Sequence, residues 1–281
     1  MQPHPREPIC ECWKQDSGST LSVLRKRIER LEAQHFKIHG ETYSPRKVML
    51  GHAEADACLH GGLALGAVHE VFADAGRQSA AATGFVAALA SRAAGVRPIV
   101  WIRQDFTAIE SGVVSMNGLV ELGLDPRLLV TVCASDVDHA LRTAADALVC
   151  DAVGVVVLEV WGEAKQLDLV ASRKLTLAAQ ASGTTGLVLR MAAEPQASTA
   201  ETRWIVRAAH SPPPAPPWSA WGAPLFEAQL VRNRHGPVGR WIMEWKCDEC
   251  LFASPAAYSQ PVAAAPAHRP YQASTIHRRA S

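Results

Sequence analysis

The sequence lacks several features that would assign it to a common class of protein. Lys and Arg total 28 and Asp and Glu total 27 in 281 residues, so no overall positive charge favours nucleic-acid binding, although a local basic stripe is compatible with these totals. No run approaches the ~18 apolar residues of a membrane span, and residues 1–22 lack the apolar segment of a secretory signal. We therefore expect a cytoplasmic protein of one or two domains.

The cysteines do not have the spacing of a disulfide framework. There are seven, irregularly placed. Two pairs, Cys10/Cys12 and Cys247/Cys250, are spaced closely enough to ligate zinc, but neither is flanked by the glycines of a zinc knuckle. Free thiols are the favoured interpretation, zinc is the alternative, and we expect neither a metal nor a cofactor.

The N-terminal part divides into a polar segment and a charged helix. Residues 1–20 are polar and are predicted to be disordered. Residues 21–66 are predicted to be a helix and a connector, because apolar residues recur at helical spacing between charged ones. The helix either packs on its own domain or binds another protein or a second copy. Its candidate partner-binding residues are Leu21, Leu24, Ile28 and Leu31.

Residues 67–210 alternate between short apolar runs and helical stretches, which predicts an α/β core. The predicted strands are Val68–Phe72, Ile99–Ile102, Leu128–Val132, Val153–Val160 and Gly186–Met191. The predicted helices are Ser79–Ala94, Gly112–Leu122, Val137–Cys150 and Leu167–Ala181. Because these strands are apolar on both faces, we expect a mostly parallel sheet flanked by helices.

The C-terminal part is predicted to contain a loop, a hairpin and a tail. Residues 211–224 carry six prolines and are expected to form a loop. Residues 225–252 are predicted to complete the core as a β-hairpin of Phe226–Arg232 and Arg240–Trp245. Trp241 and Trp245 share one face of that strand, where they either cover the core or bind a partner. Residues 253–281 are predicted to be a disordered tail.

The turn after the first core strand is where an open α/β sheet could bind phosphate. A phosphate-binding loop has the pattern G-x-x-x-x-G-K-[ST], in which the Lys reaches the phosphates. Residues 73–81 contain one Gly and no Lys, and the carboxylate of Asp74 would repel a triphosphate. We expect a degenerate nucleotide site here, with the residues Ala73, Asp74, Gly76, Arg77 and Ser79.

The order of these elements resembles a RecA-type core, and within that group the ImuA family of bacterial translesion mutagenesis cassettes. The resemblance extends from Leu21 to Trp245. Ala140–Trp161 is similar to the helix and strand that carry the Walker B acid, and the helix from Arg173 followed by Gly186–Met191 is similar to the elements before the second DNA-binding loop. Leu230–Gly236 resembles the terminal strand and its hairpin.

The resemblance implies roles for two further acids. Asp105 falls where RecA has a water-activating glutamate, Glu159 falls near the Walker B aspartate, and Arg190 or Met191 falls near a residue that senses the γ-phosphate. Two acids without a phosphate cradle cannot position a phosphoryl group, so we do not expect ATP hydrolysis. The alternative is that Asp105 and Glu159 are ordinary polar residues at strand ends, paired with Arg103 or Lys165.

DNA contact is expected to be weak or indirect. RecA-like cores bind single strands through loops that correspond here to 161–168 and 192–203, where acids accompany the cations. The candidate contacts are Lys165, Arg190, Arg203, Trp204, Arg232 and Arg234.

The function implied by the resemblance is that of a non-catalytic RecA-like accessory protein in SOS-induced translesion DNA synthesis. Its expected partners are the ImuB protein and an error-prone C-family DNA polymerase, with RecA and a second copy of the chain as further candidates. One alternative is a nucleotide-dependent RecA-type DNA-binding ATPase. A less favoured alternative is a SulA-like inhibitor of cell division.

Overall fold

A nine-stranded sheet dominates the computed structural model, which describes residues 46–73, 78–211 and 222–255. The strands are β1 Lys47–Val48, β2 Leu63–Ala64, β3 Val68–Ala73, β4 Ile99–Gln104, β5 Leu129–Ala134, β6 Val155–Trp161, β7 Thr185–Met191, β8 Thr202–Ala208, β9 Leu225–Asn233, β10 Gly239–Lys246 and β11 Leu251–Ala253. The helices are α1 Ala53–Cys58, α2 Ser79–Ala94, α3 Asp105–Ser111, α4 Met116–Glu121, α5 Val137–Val149 and α6 Leu169–Ser182, with a 3₁₀ turn at Pro126–Leu128.

The sheet has a parallel part and an antiparallel part. Its strand order is β11-β10-β9-β8-β3-β7-β6-β4-β5, in which the strands from β8 to β5 run parallel and β9, β10 and β11 extend it antiparallel. The parallel strands are apolar on both faces because helices cover both sides. The expected α/β class, the flanking helices and the C-terminal hairpin are therefore confirmed.

The helices form two layers, each with its own core. Helix α2 packs on one face, where Phe85 and Leu89 meet Val71 and Val157. Helices α5 and α6 pack on the other face, against the side chains of Val156 and its neighbours. Small side chains bring α2 close to the sheet: a Cβ at Gly154, just before β6, would lie 2.9 Å from the Cα of Ala94.

An aromatic cluster joins the antiparallel strands to helix α2. The ring of Phe85 lies 5.7 Å from those of Trp204 and Phe226 and 5.2 Å from that of Phe252, measured between centroids. Trp245 is fully buried, and its indole N–H donates to the carbonyl of Leu122 at 2.8 Å. The C-terminal tryptophans were expected either to cover the core or to bind a partner, and Trp245 packs in the core.

Two local predictions differ from the structure. The helix expected over Gly112–Leu122 is confined to α4, Met116–Glu121, which begins where the Ser115 hydroxyl accepts from the Gly118 N–H. An unpredicted helix, α3, precedes it and ends at Gly112, which has φ 79°. Strand β8 was not expected, since its first residues were assigned to a loop. The short elements β1, α1, β2 and β11 also carried no clear sequence signal.

Several predictions fall on residues that the structure does not describe. The partner-binding helix with Leu21, Leu24, Ile28 and Leu31, the segment 1–20, most of the proline-rich loop and most of the tail are outside the described ranges. The division into domains stays a prediction. Within the described residues, no helix is both long and apolar enough to cross a membrane.

Candidate functional site

The acid expected at the Walker B position is held in a buried ion pair. Glu159 lies on β6 opposite Arg103 of β4, and its side chain is 0% exposed. The Arg103 guanidinium donates to both carboxylate oxygens, from Nη2 to Oε1 at 2.8 Å and from Nε to Oε2 at 2.9 Å. The indole N–H of Trp101 donates to Oε2 at 2.8 Å. One interpretation of Glu159 was a polar residue paired with Arg103 or Lys165, and the structure contains the pair with Arg103.

In this arrangement the carboxylate of Glu159 is fully used by contacts within the protein. The bidentate arginine neutralises its charge and donates to both of its oxygens, and Trp101 adds a third donor. To ligate a metal ion, Glu159 would have to release a buried arginine, and breaking a buried pair in this way costs about 3–5 kcal/mol. The site is therefore built as a structural link between strands β4 and β6.

The ion pair also fixes the segment that follows β4. The Nη2 of Arg103 donates to the carbonyl of Gly112 at 3.0 Å, in addition to its bond with Glu159. Gly112 ends helix α3, which begins at Asp105. Glu159 thus holds Arg103, and Arg103 holds the end of α3.

The other described residues of the expected nucleotide site lie at the same edge of the sheet. Ala73 ends β3 and Ser79 begins α2, whereas Asp74, Gly76 and Arg77 are outside the described residues. Strand β7 lies between β3 and β6. Asp105 is exposed at the start of α3, next to the carboxyl end of β4. The geometry thus places Ala73, Ser79, Asp105 and Glu159 at one edge, but with Glu159 sequestered.

A cluster of three arginines lies on the sheet face that carries α5 and α6. The guanidinium of Arg203 is 5.6 Å and that of Arg190 is 5.8 Å from the centroid of the Phe72 ring. The Nε of Arg203 donates to a carboxylate oxygen of Glu70 at 2.7 Å. Arg232 donates to the carbonyl of Ser198 at 2.7 Å. We call Arg190, Arg203 and Arg232 the arginine cluster.

Burial lowers the pKa values of two arginines in the cluster, Arg190 and Arg232. Arg190 is 2% exposed; its Nη2 donates to the carbonyl of Gly162 at 3.1 Å, while its Nε has no hydrogen-bond partner among the described residues. Burial lowers the pKa of Arg190, and the nearby carboxylates of Glu70 and Glu163 oppose that shift. Burial also lowers the pKa of Arg232, with repulsion from Arg203 adding to it. Each arginine of the cluster therefore donates to an acceptor within the protein.

The two loops expected to contact DNA are bonded to each other. Glu163 in the first loop accepts from the N–H of Glu194 and from the side-chain amide of Gln196 in the second. Thr199 is fixed on α6, where its N–H donates to the hydroxyl of Ser172 at 2.9 Å. Arg203 also donates to the hydroxyl of Ser198 at 2.9 Å.

These contacts change the interpretation of the candidate DNA residues. Trp204 is 0% exposed and its N–H donates to Thr202, so a base cannot stack on this indole as expected. The arginine cluster binds protein groups, and of the six candidates only Lys165 and Arg234 are exposed. Sequence reasoning missed Glu70 and Phe72, although a single acid inside a buried apolar strand signals a partner.

The described cysteine pair shows no metal site. Cys247 and Cys250 lie in the turn between β10 and β11, where the Cys250 thiol contacts the carbonyl of Cys247 at 3.4 Å. Burial raises the pKa of the Cys247 thiol. The described ranges contain no group of three or more His, Cys, Asp or Glu residues arranged to hold a metal ion. Cys10 and Cys12 are outside those ranges.

The fold and the site define an α/β protein whose mostly parallel sheet is extended by antiparallel strands and whose strand-end acid is sequestered by arginine. No protein-family model matches the sequence. The chain is 32% identical over 223 residues to Protein ImuA of Caulobacter vibrioides, in two strains of that bacterium, with 72% of this chain and 85% of the relative covered. The chain belongs to the ImuA family.

Proposed function

We propose that this chain is a non-catalytic accessory protein in SOS-induced translesion DNA synthesis and mutagenesis. The observation that carries the proposal is the relationship to Protein ImuA over 85% of that protein's length. In this role the chain bridges the ImuB protein and an error-prone C-family DNA polymerase in the cytoplasm. RecA and a second copy of the chain are further candidate partners.

The environment of Glu159 supports a role without catalysis. Phosphoryl transfer depends on positioned charges and a metal ion that bridges the phosphates. The carboxylate of Glu159 is neutralised by Arg103, and residues 73–81 contain no lysine to reach a phosphate. A chain with these two features has neither a free carboxylate for a metal ion at Glu159 nor the lysine of a phosphate-binding loop.

The arginine cluster is bonded to protein groups, and this supports weak or indirect contact with single-stranded DNA. Affinity for DNA scales with the number of phosphates that cations neutralise. Arg190 and Arg203 are directed to protein acceptors, which leaves few cations for a phosphate backbone. Recruitment to DNA then comes mainly through protein partners.

The proposal is tested first with the purified chain. We expect no ATP hydrolysis, with or without single-stranded DNA, and co-purification with ImuB and the polymerase.

In cells, deletion of the gene should abolish damage-induced mutagenesis, and both the wild-type chain and an Asp105→Asn variant should restore it. DNA-stimulated ATP turnover that Asp105→Asn abolishes would instead establish the ATPase alternative. Filamentous cells on overexpression, with normal mutagenesis in the deletion strain, would favour the SulA-like alternative.

A further inference from the structure

Helices α3 and α4 and the short connection between them present apolar side chains outward. Ile109 is 76% exposed and Val113 is 83% exposed, and three further large apolar residues of this stretch are 43–49% exposed. We call this surface the outer face; its residues are Phe106, Ile109, Val113, Met116 and Val120.

The outer face departs from the usual pattern of a surface helix. A helix at the surface normally turns its apolar residues inward and its polar residues outward. In α3 the fully buried residue is Thr107, while Phe106 and Ile109 face solvent. In α4, Leu119 is buried, but Met116 and Val120 remain exposed. Apolar exposure concentrated in this way is typical of a protein-binding surface.

The charged side chains within the outer-face segment are all acidic, and the first cation after it, Arg127, is paired with Asp125. Asp105, Glu110 and Glu121 are exposed within the same segment. The sequence between Gln104 and Pro126 contains no Lys, Arg or His. The side chains of this segment therefore combine apolar contact area with negative charge.

The segment is fixed at two points, one between its helices and one after the second helix, before any partner binds. Arg103, held by Glu159, donates to the carbonyl of Gly112 at the end of α3. The indole of Trp245 donates to the carbonyl of Leu122 after α4. A surface that is already ordered loses less conformational entropy on binding, so these contacts favour its use as an interface.

We propose that the outer face binds an amphipathic helix of a partner protein whose apolar stripe is flanked by Lys and Arg. The apolar side chains supply the contact area, as in other complexes where a helix docks on an apolar surface. Asp105, Glu110 and Glu121 select basic flanks, because complementary charge sets specificity and the rate of association. The inference does not depend on which partners the proposed function names.

The test uses a synthetic helical peptide as the probe. The peptide has about 18 residues, enough to be helical, with Leu at positions i, i+3, i+4 and i+7, Lys on its flanks and a fluorescent label. A matched peptide has Glu in place of each Lys. Binding to the full chain is followed by fluorescence anisotropy at about 0.15 M salt, where surface charges still act over about 8 Å.

The expected results separate apolar contact from charge. The Lys peptide should bind at least about tenfold more tightly than the Glu peptide, and the double variant Ile109→Ser/Val113→Ser should weaken that binding at least about tenfold. Glu110→Lys should reduce the preference for the Lys peptide. Val96→Ser, which changes another exposed apolar residue in the turn after α2, should bind as the wild type does.

Three outcomes would overturn the proposal. The first is equal binding of the two peptides, and the second is unchanged binding by the double variant. The third is self-association of the wild-type chain in analytical ultracentrifugation that the double variant abolishes, since a second copy would then cover the outer face. All three are distinct from loss of ImuB binding, which tests the proposed function alone.

Discussion

Replacement of Glu159 by Gln should destabilise the fold strongly. The change keeps the volume of the side chain and an acceptor for Trp101, but leaves the guanidinium of Arg103, whose side chain is 7% exposed, without its counter-charge. Removing one partner of a buried ion pair costs about 3–5 kcal/mol. That loss is a large fraction of the 5–15 kcal/mol that stabilises a typical domain. Urea denaturation of the wild type and the variant gives the difference directly.

A double variant shows whether the loss arises from the pair. Arg103→Met alone leaves a buried carboxylate, whereas Arg103→Met with Glu159→Gln leaves no buried charge. The double variant should therefore be less destabilised than the sum of the two single variants, by about 0.5–3 kcal/mol. Asp125→Asn is the control: it breaks the surface pair with Arg127, whose side chain is 87% exposed, and should have a much smaller effect.

Two further measurements distinguish a structural Glu159 from a metal-binding one. Because Arg103 also holds the carbonyl of Gly112, Glu159→Gln should speed amide hydrogen exchange in α3. Millimolar Mg²⁺ should not raise the thermal stability of the wild type, since ligand binding stabilises only where a site exists. A loss below about 1 kcal/mol in the variant, or stabilisation by Mg²⁺ that the variant lacks, would refute the reasoning.

The remaining predictions concern buried groups elsewhere in the sheet. Burial lowers the pKa of His69 from 6.5 to about 4; the unfolded chain therefore binds the proton more readily, and stability should fall by about 3 kcal/mol as pH drops from 6.5 to 4. Urea titrations across this range should show a smaller loss in His69→Gln, and equal losses would contradict the assignment. Trp204→Ala should cost about 3–5 kcal/mol in the same assay, while single-stranded DNA binding by the folded variant stays unchanged. Gly154→Ala should cost about 1–3 kcal/mol, because the new methyl group would lie 2.9 Å from the Cα of Ala94; a neutral effect would mean that α2 can move away.

The alternation of strands and helices was predictable because local periodicity determines it. Helix Ser79–Ala94 has the predicted bounds, and strand Thr185–Met191 differs from its prediction by one residue. Strand β8 was missed for a physical reason: Arg203 and Trp204 together match the composition of a nucleic-acid contact, and composition does not show which face each side chain takes. The strand alternates, with Trp204 turned into the core and Arg203 toward Glu70.

The pairing of charged residues was only partly predictable. Arg103 and Glu159 each interrupt an apolar strand, and a buried charge requires a partner. Their sequence separation is 56 residues, so only the register between β4 and β6 identifies the pair. The break between α3 and α4 had a signal in Gly112, but the role of its carbonyl depends on Arg103 and could not be seen locally.

Polar side chains at and beside the carboxyl edge of the sheet are bonded to one another. These bonds disfavour ligand binding at that edge. Open α/β sheets usually receive ligands at that edge. Here Glu159 is bonded to Arg103, Glu70 to Arg203, and Glu163 to the loop after β7. A ligand at this edge would have to replace these contacts, two of which are buried ion pairs, whereas a partner on the outer face removes mainly apolar surface from water. The energetic difference favours binding through the surface of α3 and α4.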